Sequence, residues 1–284
     1  MKAQRIRLIQ HAYRMLGVQA EAEDVVQEAY ARLHQLDQPP NNADAWLTTV
    51  VTRLAIDVLK SARHQREQYF GVWLPEPLTL AEVEQTDTAE LAQTLTLAFM
   101  HMMEFLTPSE RAVFLLREVF DYDYEKIADT LQKSESACRK LFSRARQQLS
   151  DQPLSDTAAF TQPATESDED LAWTQKFMAT CQMGNFDQIT EALADDILVL
   201  SDGGGKTQAL VRPIMGRERV AHFILTTLKH IQPGFKVELT QYFGDPCLKV
   251  SDASGPISVI VFWIRDQKLQ RLYAIRNPDK LALW

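Results

Sequence analysis

The chain has 284 residues, 45% of them apolar, and a formal net charge of −8. That length suits two or three domains with packed interiors. The acidic balance does not favour a free-standing nucleic-acid binder, which usually carries a basic excess, so any DNA contact must come from local patches or from a partner that holds most of the DNA.

The N-terminal stretch "MKAQRIRLIQHAYRML" carries scattered charges and no cleavage-like site, so no secretory signal is expected. No apolar run reaches the roughly 20 residues of a membrane helix. The longest, "ISVIVFWI" (257–264), reads as a buried strand. Cys138, Cys181 and Cys247 are widely spaced and odd in number, which points to thiols in a reducing cytoplasm rather than a disulfide framework or metal cluster.

Residues 1–67 read as helices only. Ala22, Val26, Ala29, Leu33 and Leu36 recur at helical spacing. The opposite face shows Asp24, Gln27, Ala31 and Gln35, with Glu28 and Arg32 at its edges. An acidic-amide face does not attract DNA; it is either solvated or a protein-docking surface. A second helix follows Asn42, a suitable N-cap, and runs to about Arg66. It places Arg53, Lys60, Arg63 and Arg66 along its length, with Trp46 expected in the core. The connector at 68–87 contains "YFGVWLPEPLTL", whose Gly71, Pro75 and Pro77 favour an extended chain.

Helical pattern resumes over 88–150. "FMHMMEFL" (99–106) reads as helix core. Thr107-Pro108-Ser109-Glu110 has the form of a capping box with proline in the first turn. "YEKIADTLQKSESACRKLFSRARQQL" (124–149) predicts a helix-turn-helix: a short helix, a turn near 131–133, and a second helix capped by Ser134. On that second helix Ala137, Leu141, Ala145 and Leu149 form an inward stripe widened by Cys138 and Phe142. The outward face carries Ser136, Lys140, Ser143 and Gln147, flanked by Arg139, Arg144 and Arg146. Five basic residues and one acidic lie between Lys133 and Arg146, a local +4 inside an acidic chain. Such a helix suits a DNA major groove.

A Pro/Ser/Thr-bearing stretch of low hydrophobicity at 151–167 reads as a linker. The remainder, 168–284, changes character. Helices are expected at about 168–183, 186–193 and 217–231, with strand-like runs "DDILVLSD", "FKVELTQYF", "PCLKV", "ISVIVFWI" and "LQRLYAIR". This is an α+β domain with a curved, mostly antiparallel sheet.

"SDGGGKT" (201–207) ends like a nucleotide-binding loop but fails the pattern. The first glycine should be residue 200, which is leucine, and Val211, Pro213 and Ile214 keep a helix from starting at Lys206. Three glycines instead permit a tight connection or a close approach of another backbone. Lys206 is expected to pair with an acid such as Glu76. Asp202, His222 and Tyr242 are the polar candidates for a pocket, but their spacing predicts no catalysis. His222 is expected as a core or boundary residue. The sequence shows no cofactor motif.

Two blocks, "AEDVVQEAYARL" with "AWLTTVVTRLAIDVLKSAR" and "LTPSERAVFLLREVFDYDYEKIADTLQKSESACRKLFSRARQQL", resemble regions two and four of the extracytoplasmic-function (ECF) sigma factors. Three motifs resemble those of a subgroup that fuses a SnoaL-like, NTF2-like domain to the C-terminus. They are Trp73-Leu74-Pro75-Glu76-Pro77, Asp202-Gly203-Gly204-Gly205-Lys206 and Asn277-Pro278-Asp279-Lys280-Leu281. The resemblance spans nearly the full chain. It implies two all-α sigma domains, the second with the helix-turn-helix, followed by an α+β cone.

The same resemblance implies core RNA polymerase as partner. Region two would grip the clamp of the largest subunit through Asp24, Gln27, Glu28 and Arg32, and melt the minus-ten element with Arg53, Lys60, Arg63 and Arg66. Region four would touch the β flap and read the minus-thirty-five element with Arg139, Lys140, Ser143 and Arg144. The three motifs would form an interdomain, regulatory contact. Folds of this subgroup suit an apolar small-molecule ligand, and the expected function is promoter recognition tuned by the fused domain, without membrane or catalytic role. Gln132 stands where a glycine is common and Val58 where a basic residue is common. Two rival readings are a ligand-responsive helix-turn-helix regulator working without polymerase, and a cyclase or isomerase with a DNA-binding appendage.

Overall fold

The structure, a computed structural model, describes residues 2–66, 69–78, 94–151, 167–229, 234–282 and 284, the side chains of 62–66 and 167 excepted. It forms two compact units. One comprises Met1–Gln68, Leu80–Leu95 and Phe99–Gln162, the other Tyr69–Thr79, Thr96–Ala98 and Pro163–Trp284. This differs from the expected division at two points. The two helical regions form one body, and the connector motif belongs with the C-terminal sheet. Both differences have specific polar causes, given below.

The helical unit begins with α1 (Lys2–Leu16), α2 (Gln19–His34) and α3 (Ala43–Arg66). Leu8, Ile9, Ala12, Met15 and Leu16 on α1 are buried, as are Ala22, Val25, Val26 and Ala29 on α2 and Leu47, Val51, Ala55, Ile56 and Leu59 on α3. These positions recur every three or four residues, which gives each helix one apolar face for the shared core. The Asn42 side chain accepts from the Ala45 amide at 3.0 Å and starts α3 as expected. His11 meets the Thr52 hydroxyl at 2.8 Å; burial, with Arg14 beside it, depresses its pKa to about 3 and keeps the ring neutral. Leu36 departs from the expected stripe. The helix ends at His34, so Leu36 lies beyond it and is 41% exposed.

Helices α4 (Leu97–Met103) and α5 (Pro108–Phe114) follow, and α5 continues into a π-helical turn at Leu115–Val119. Both halves of the Thr107–Glu110 capping box are present. Met100, Met102 and Met103 are core residues. The helix-turn-helix is α6 (Tyr124–Leu131) and α7 (Glu135–Ser150). Val113, Leu116, Ile127, Ala128 and Cys138 make its core, with Leu131, Leu141 and Phe142 packed against it. Arg111, 2% exposed, donates to the Met15 carbonyl at 2.6 Å and pairs with Glu104 at 2.7 Å, tying α5 to the end of α1.

The sheet unit contains α8 (Ser167–Met183), α9 (Phe186–Ala192) and α10 (Arg217–Lys229). Its strands are β1 (Leu193–Asp202), β2 (Ile214–Met215), β3 (Lys236–Tyr242), β4 (Asp245–Asp252), β5 (Gly255–Arg265) and β6 (Lys268–Ile275). The order is β2-β1-β6-β5-β4-β3; β1 runs parallel to β6 and the other pairs are antiparallel. The α+β expectation holds, and only the two-residue β2 lacked a recognisable pattern. Leu248, Phe262, Leu269 and Leu272 of the sheet pack with Phe177, Cys181, Ile189 and Val220 of the helices. The parallel β1–β6 pair brings Asp202 level with Ile275, beside the turn into the short helix α11 (Pro278–Leu281). That register assembles the site described next.

Candidate DNA-facing surfaces and connector site

On α7 the buried stripe is Cys138, Ala145 and Leu149, with Ala137, Leu141 and Phe142 half-buried. Arg139, Lys140, Ser143, Arg144, Arg146 and Gln147 are exposed on the other side. Ser134 accepts from the Ala137 amide at 3.2 Å and fixes where the helix begins. Arg139 lies 4.2 Å over the Tyr124 ring and 3.0 Å from Glu135, so its guanidinium is partly committed within the fold. The turn turns on Gln132, whose backbone sits in the left-handed region at φ 53° and ψ 46°. A non-glycine residue is strained there by contact of Cβ with the carbonyl oxygen.

On α2, Asp24, Gln27, Glu28 and Arg32 are all exposed on one face, and Glu28 pairs with Arg32 at 2.8 Å. Lys60 on α3 is exposed and 3.0 Å from Asp57. Arg63 and Arg66 lie on the helix backbone, but their side chains fall outside the described residues. Arg53 is placed differently from expectation. Its Nε donates to the Thr130 carbonyl at 2.7 Å and its Nη2 to the Asp129 carbonyl at 2.9 Å. It is partly exposed and engaged with the end of α6. Val58 is half-buried on the same helix.

The three short motifs meet within the sheet unit. Asp202, fully buried at the end of β1, is the centre. One carboxylate oxygen accepts from the Tyr69 hydroxyl at 2.6 Å and the Gly204 amide at 3.0 Å. The other accepts from the Leu74 amide at 2.9 Å and the Lys280 ammonium at 2.7 Å. Lys280 also donates to the Leu74 carbonyl and lies 4.1 Å over the Trp73 ring. The Asp202 carbonyl accepts from the Arg276 and Asn277 amides at 2.7 and 2.9 Å. Asn277 donates to the Tyr69 hydroxyl at 2.9 Å and caps α11 by accepting from the Asp279 amide at 3.1 Å. Burial, reinforced by Asp202, raises the Tyr69 pKa, so the hydroxyl stays a donor.

Further along the connector, the Leu78 amide donates to the Tyr242 hydroxyl at 3.2 Å, and the Trp284 indole to the Pro77 carbonyl at 2.8 Å. Leu74, Pro75, Glu76 and Pro77 are buried, as is Leu281. The extended, proline-bearing segment cannot satisfy its own backbone in a helix, so these side chains satisfy it.

The glycine run has a steric cause. A Cβ on Gly204, where φ is +62°, would lie 2.4 Å from the Asn277 side chain, and one on Gly203 would lie 2.5 Å from the Thr207 carbonyl oxygen. The loop closes by Lys206 and Thr207 amides donating to the Gly203 carbonyl. Lys206 does not reach Glu76. Its exposed ammonium pairs with exposed Asp279 at 2.5 Å, while Glu76 is buried. The lysine that holds the connector is Lys280. Tyr69 and Trp284 were missed from sequence; each lies a few residues outside its motif, and only their aromatic character could have marked them.

The pocket candidates are not brought together as a reactive set. Asp202 and Tyr242 are spent on the connector, and His222 stands exposed on α10 against Phe186, with ring centroids 4.5 Å apart. His222 is thus neither core nor boundary. Among the described residues no group of histidine, cysteine and carboxylate side chains could hold a metal ion, and no helix is long and apolar enough to cross a membrane.

A three-helix module, a helix-turn-helix module and an α+β sheet domain define a multidomain protein of the sigma type. The family models agree: Sigma-70 region 2 matches residues 2–65 and Sigma-70 region 4 matches residues 96–149. The chain is 35% identical to the ECF RNA polymerase sigma factor SigJ of Mycobacterium tuberculosis (strain H37Rv), over 99% of this chain and 92% of that protein. It is 30% identical to the probable ECF RNA polymerase sigma factor SigI of the same species, over 99% and 93%. The crystal structure of M. tuberculosis SigJ superposes with a TM-score of 0.75 at 31% identity, covering 99% of this chain and 96% of that one. The chain belongs to the ECF RNA polymerase sigma factor family.

Proposed function

We propose that this chain is a promoter-specificity subunit that joins core RNA polymerase and directs it to start sites through two DNA-reading surfaces. The observation that carries this is the exposed basic face of α7 set against a buried stripe, on an otherwise acidic protein. Lys140, Ser143 and Arg144, with Arg139 beside them, read the minus-thirty-five element. Lys60, Arg63 and Arg66 contact the minus-ten element from α3. The exposed Asp24, Gln27, Glu28 and Arg32 face of α2 docks on the clamp of the largest subunit, and the helix-turn-helix module touches the β flap. An acidic chain can serve because the polymerase supplies most of the phosphate grip.

The sheet domain tunes this activity by holding the connector between the two helical modules. The regulatory reading rests on Asp202 and Lys280 gripping Leu74, not on a bound small molecule. No catalytic role is assigned to the domain.

Run-off transcription with purified core polymerase, with and without the chain, tests the proposal. Initiation that depends on the chain supports it. Association with polymerase but no initiation at any promoter overturns it, as does specific promoter binding by the chain alone with no polymerase effect. For the tuning role, removal of residues 277–284 should change activity differently from removal of everything after Pro153. Identical behaviour would leave the connector contact without a regulatory part.

A further inference from the structure

Arg139 is the fifth residue of α7, in the N-terminal part of a recognition helix that reaches base edges in a major groove. Its guanidinium carbon lies 4.2 Å over the centre of the Tyr124 ring, and its Nη2 donates to Glu135 at 3.0 Å. Tyr124 is itself fixed. It is half-buried, packs on the helix-turn-helix core and meets Phe142 edge-on, with ring centroids 6.2 Å apart. The Arg117 guanidinium lies 5.4 Å from the same ring and is held by donating to the Tyr122 carbonyl at 2.8 Å. Lys140, Ser143 and Arg144, further round α7, have no ion pair or ring contact among the described residues.

Stacking and base reading use different parts of a guanidinium. The ring takes its flat face, while its five N–H groups lie in the edge. Glu135 takes one of them. The others leave a pair for the O6 and N7 acceptors of a guanine. The stack therefore does not block readout. It fixes the plane of a side chain that otherwise gives up rotamer freedom when it reaches a base. The unpinned Lys140 and Arg144 suit phosphates, which position a helix without reading sequence.

We propose that Arg139 is the guanine reader of α7 and that Tyr124 is its positioning residue. The inference deepens the promoter-specificity role argued above and rests on it. Discrimination at one G·C pair then depends on an α6 ring that need not touch DNA.

The test uses core polymerase, the full chain and a promoter from which it initiates, randomised across the minus-thirty-five element. The parent should favour guanine at one position by about tenfold over the other bases, the discrimination of a single bidentate pair. R139A and Y124L should each reduce that preference by about fivefold or more and leave preferences at the other positions unchanged. Y124F, which keeps the ring, should retain it. R139A/Y124L should lose no more than R139A alone, because the two side chains act as one unit. Unaltered preference in Y124L overturns the positioning role. So does an equal loss at every position, the mark of a helix-turn-helix merely destabilised. Initiation from no member of the randomised set would strike at the promoter-specificity role instead.

A measurement on the free chain decides the positioning step independently. Nitrogen-15 relaxation at Arg139 Nε should show restricted motion in the parent and in Y124F, and free motion in Y124L. A freely moving Arg139 side chain in the parent overturns the proposal whatever the transcription result.

Discussion

The Lys280 ammonium stands 2.7 Å from the Asp202 carboxylate, with the two side chains 9% and 0% exposed. Between them they take both polar groups of one connector residue: Asp202 accepts the Leu74 amide and Lys280 donates to the Leu74 carbonyl. A buried ion pair adds little net stability over apolar residues of the same shape, yet removing one partner alone strands the other charge. Lys280→Met is therefore expected to cost about 3–5 kcal/mol in the sheet unit. Lys206→Met, which breaks an exposed pair with Asp279, should cost no more than about 1 kcal/mol. Denaturant unfolding followed by tryptophan fluorescence measures both, and hydrogen exchange at the Leu74 amide should accelerate only in the first. Equal losses from the two variants would show that the buried pair is not the anchor.

The contrast between these two lysines marks how far the sequence could be read. The helix-turn-helix was legible because its signals are local: Ser134 caps α7 three residues from the amide it accepts, and the α7 stripe follows helical spacing. The sheet strands were legible from β-branched runs, and the three short motifs could be recognised as special. Their partnering could not. Leu74 and Lys280 are 206 residues apart, and nothing local distinguishes a lysine that will be buried from one that will be solvated. The partners of Arg53 were hidden for the same reason: its spacing on α3 suits DNA contact, and its hydrogen bonds to the backbone carbonyls of residues 129 and 130 are announced by no side-chain pattern.

Gln132 should be replaceable with profit to stability. Its left-handed backbone, φ 53° and ψ 46°, costs a non-glycine residue about 1–2 kcal/mol. Glycine removes that strain but adds freedom to the unfolded chain, which returns part of the gain. Gln132→Gly is expected to stabilise the helical unit by about 0.5–1 kcal/mol, since the exposed side chain leaves no hole. A rise in the denaturation midpoint at unchanged m-value checks this. A destabilised variant would mean that the glutamine side chain contributes more than its backbone strain costs.

Asp245 gives the protein a pH dependence of definite sign. Burial raises its pKa from 3.8 to about 7; nearby Asp170 adds to the rise and Arg265 opposes it. Between about pH 4 and pH 7 the unfolded chain has released this proton while the folded chain keeps it. The unfolded state then binds fewer protons, so this group's contribution makes stability fall as pH rises through that window and level off above it. Asp245→Asn cannot titrate, and the falling segment should disappear from its stability–pH curve. Denaturant midpoints from pH 4 to 8 for parent and variant give the comparison, and parallel curves would refute a raised Asp245.

Arg144 and Arg139 should separate DNA contact from fold maintenance on a single helix. Arg144 is exposed on the α7 face that carries Lys140 and Ser143. Arg139 is also exposed but already stacks on Tyr124 and pairs with Glu135. Each phosphate contact contributes about one unit to the slope of log affinity against log salt. Arg144→Ala in the polymerase-bound chain should reduce that slope by about 1 and weaken promoter binding while leaving stability within about 0.5 kcal/mol. Arg139→Ala should change the slope less and stability more, because loss of the guanidinium removes a cation–π contact of about 0.5–1 kcal/mol at an exposed site. Promoter binding at several salt concentrations, with unfolding measured in parallel, distinguishes the two. A salt slope unmoved by Arg144→Ala would take this face of α7 off the DNA.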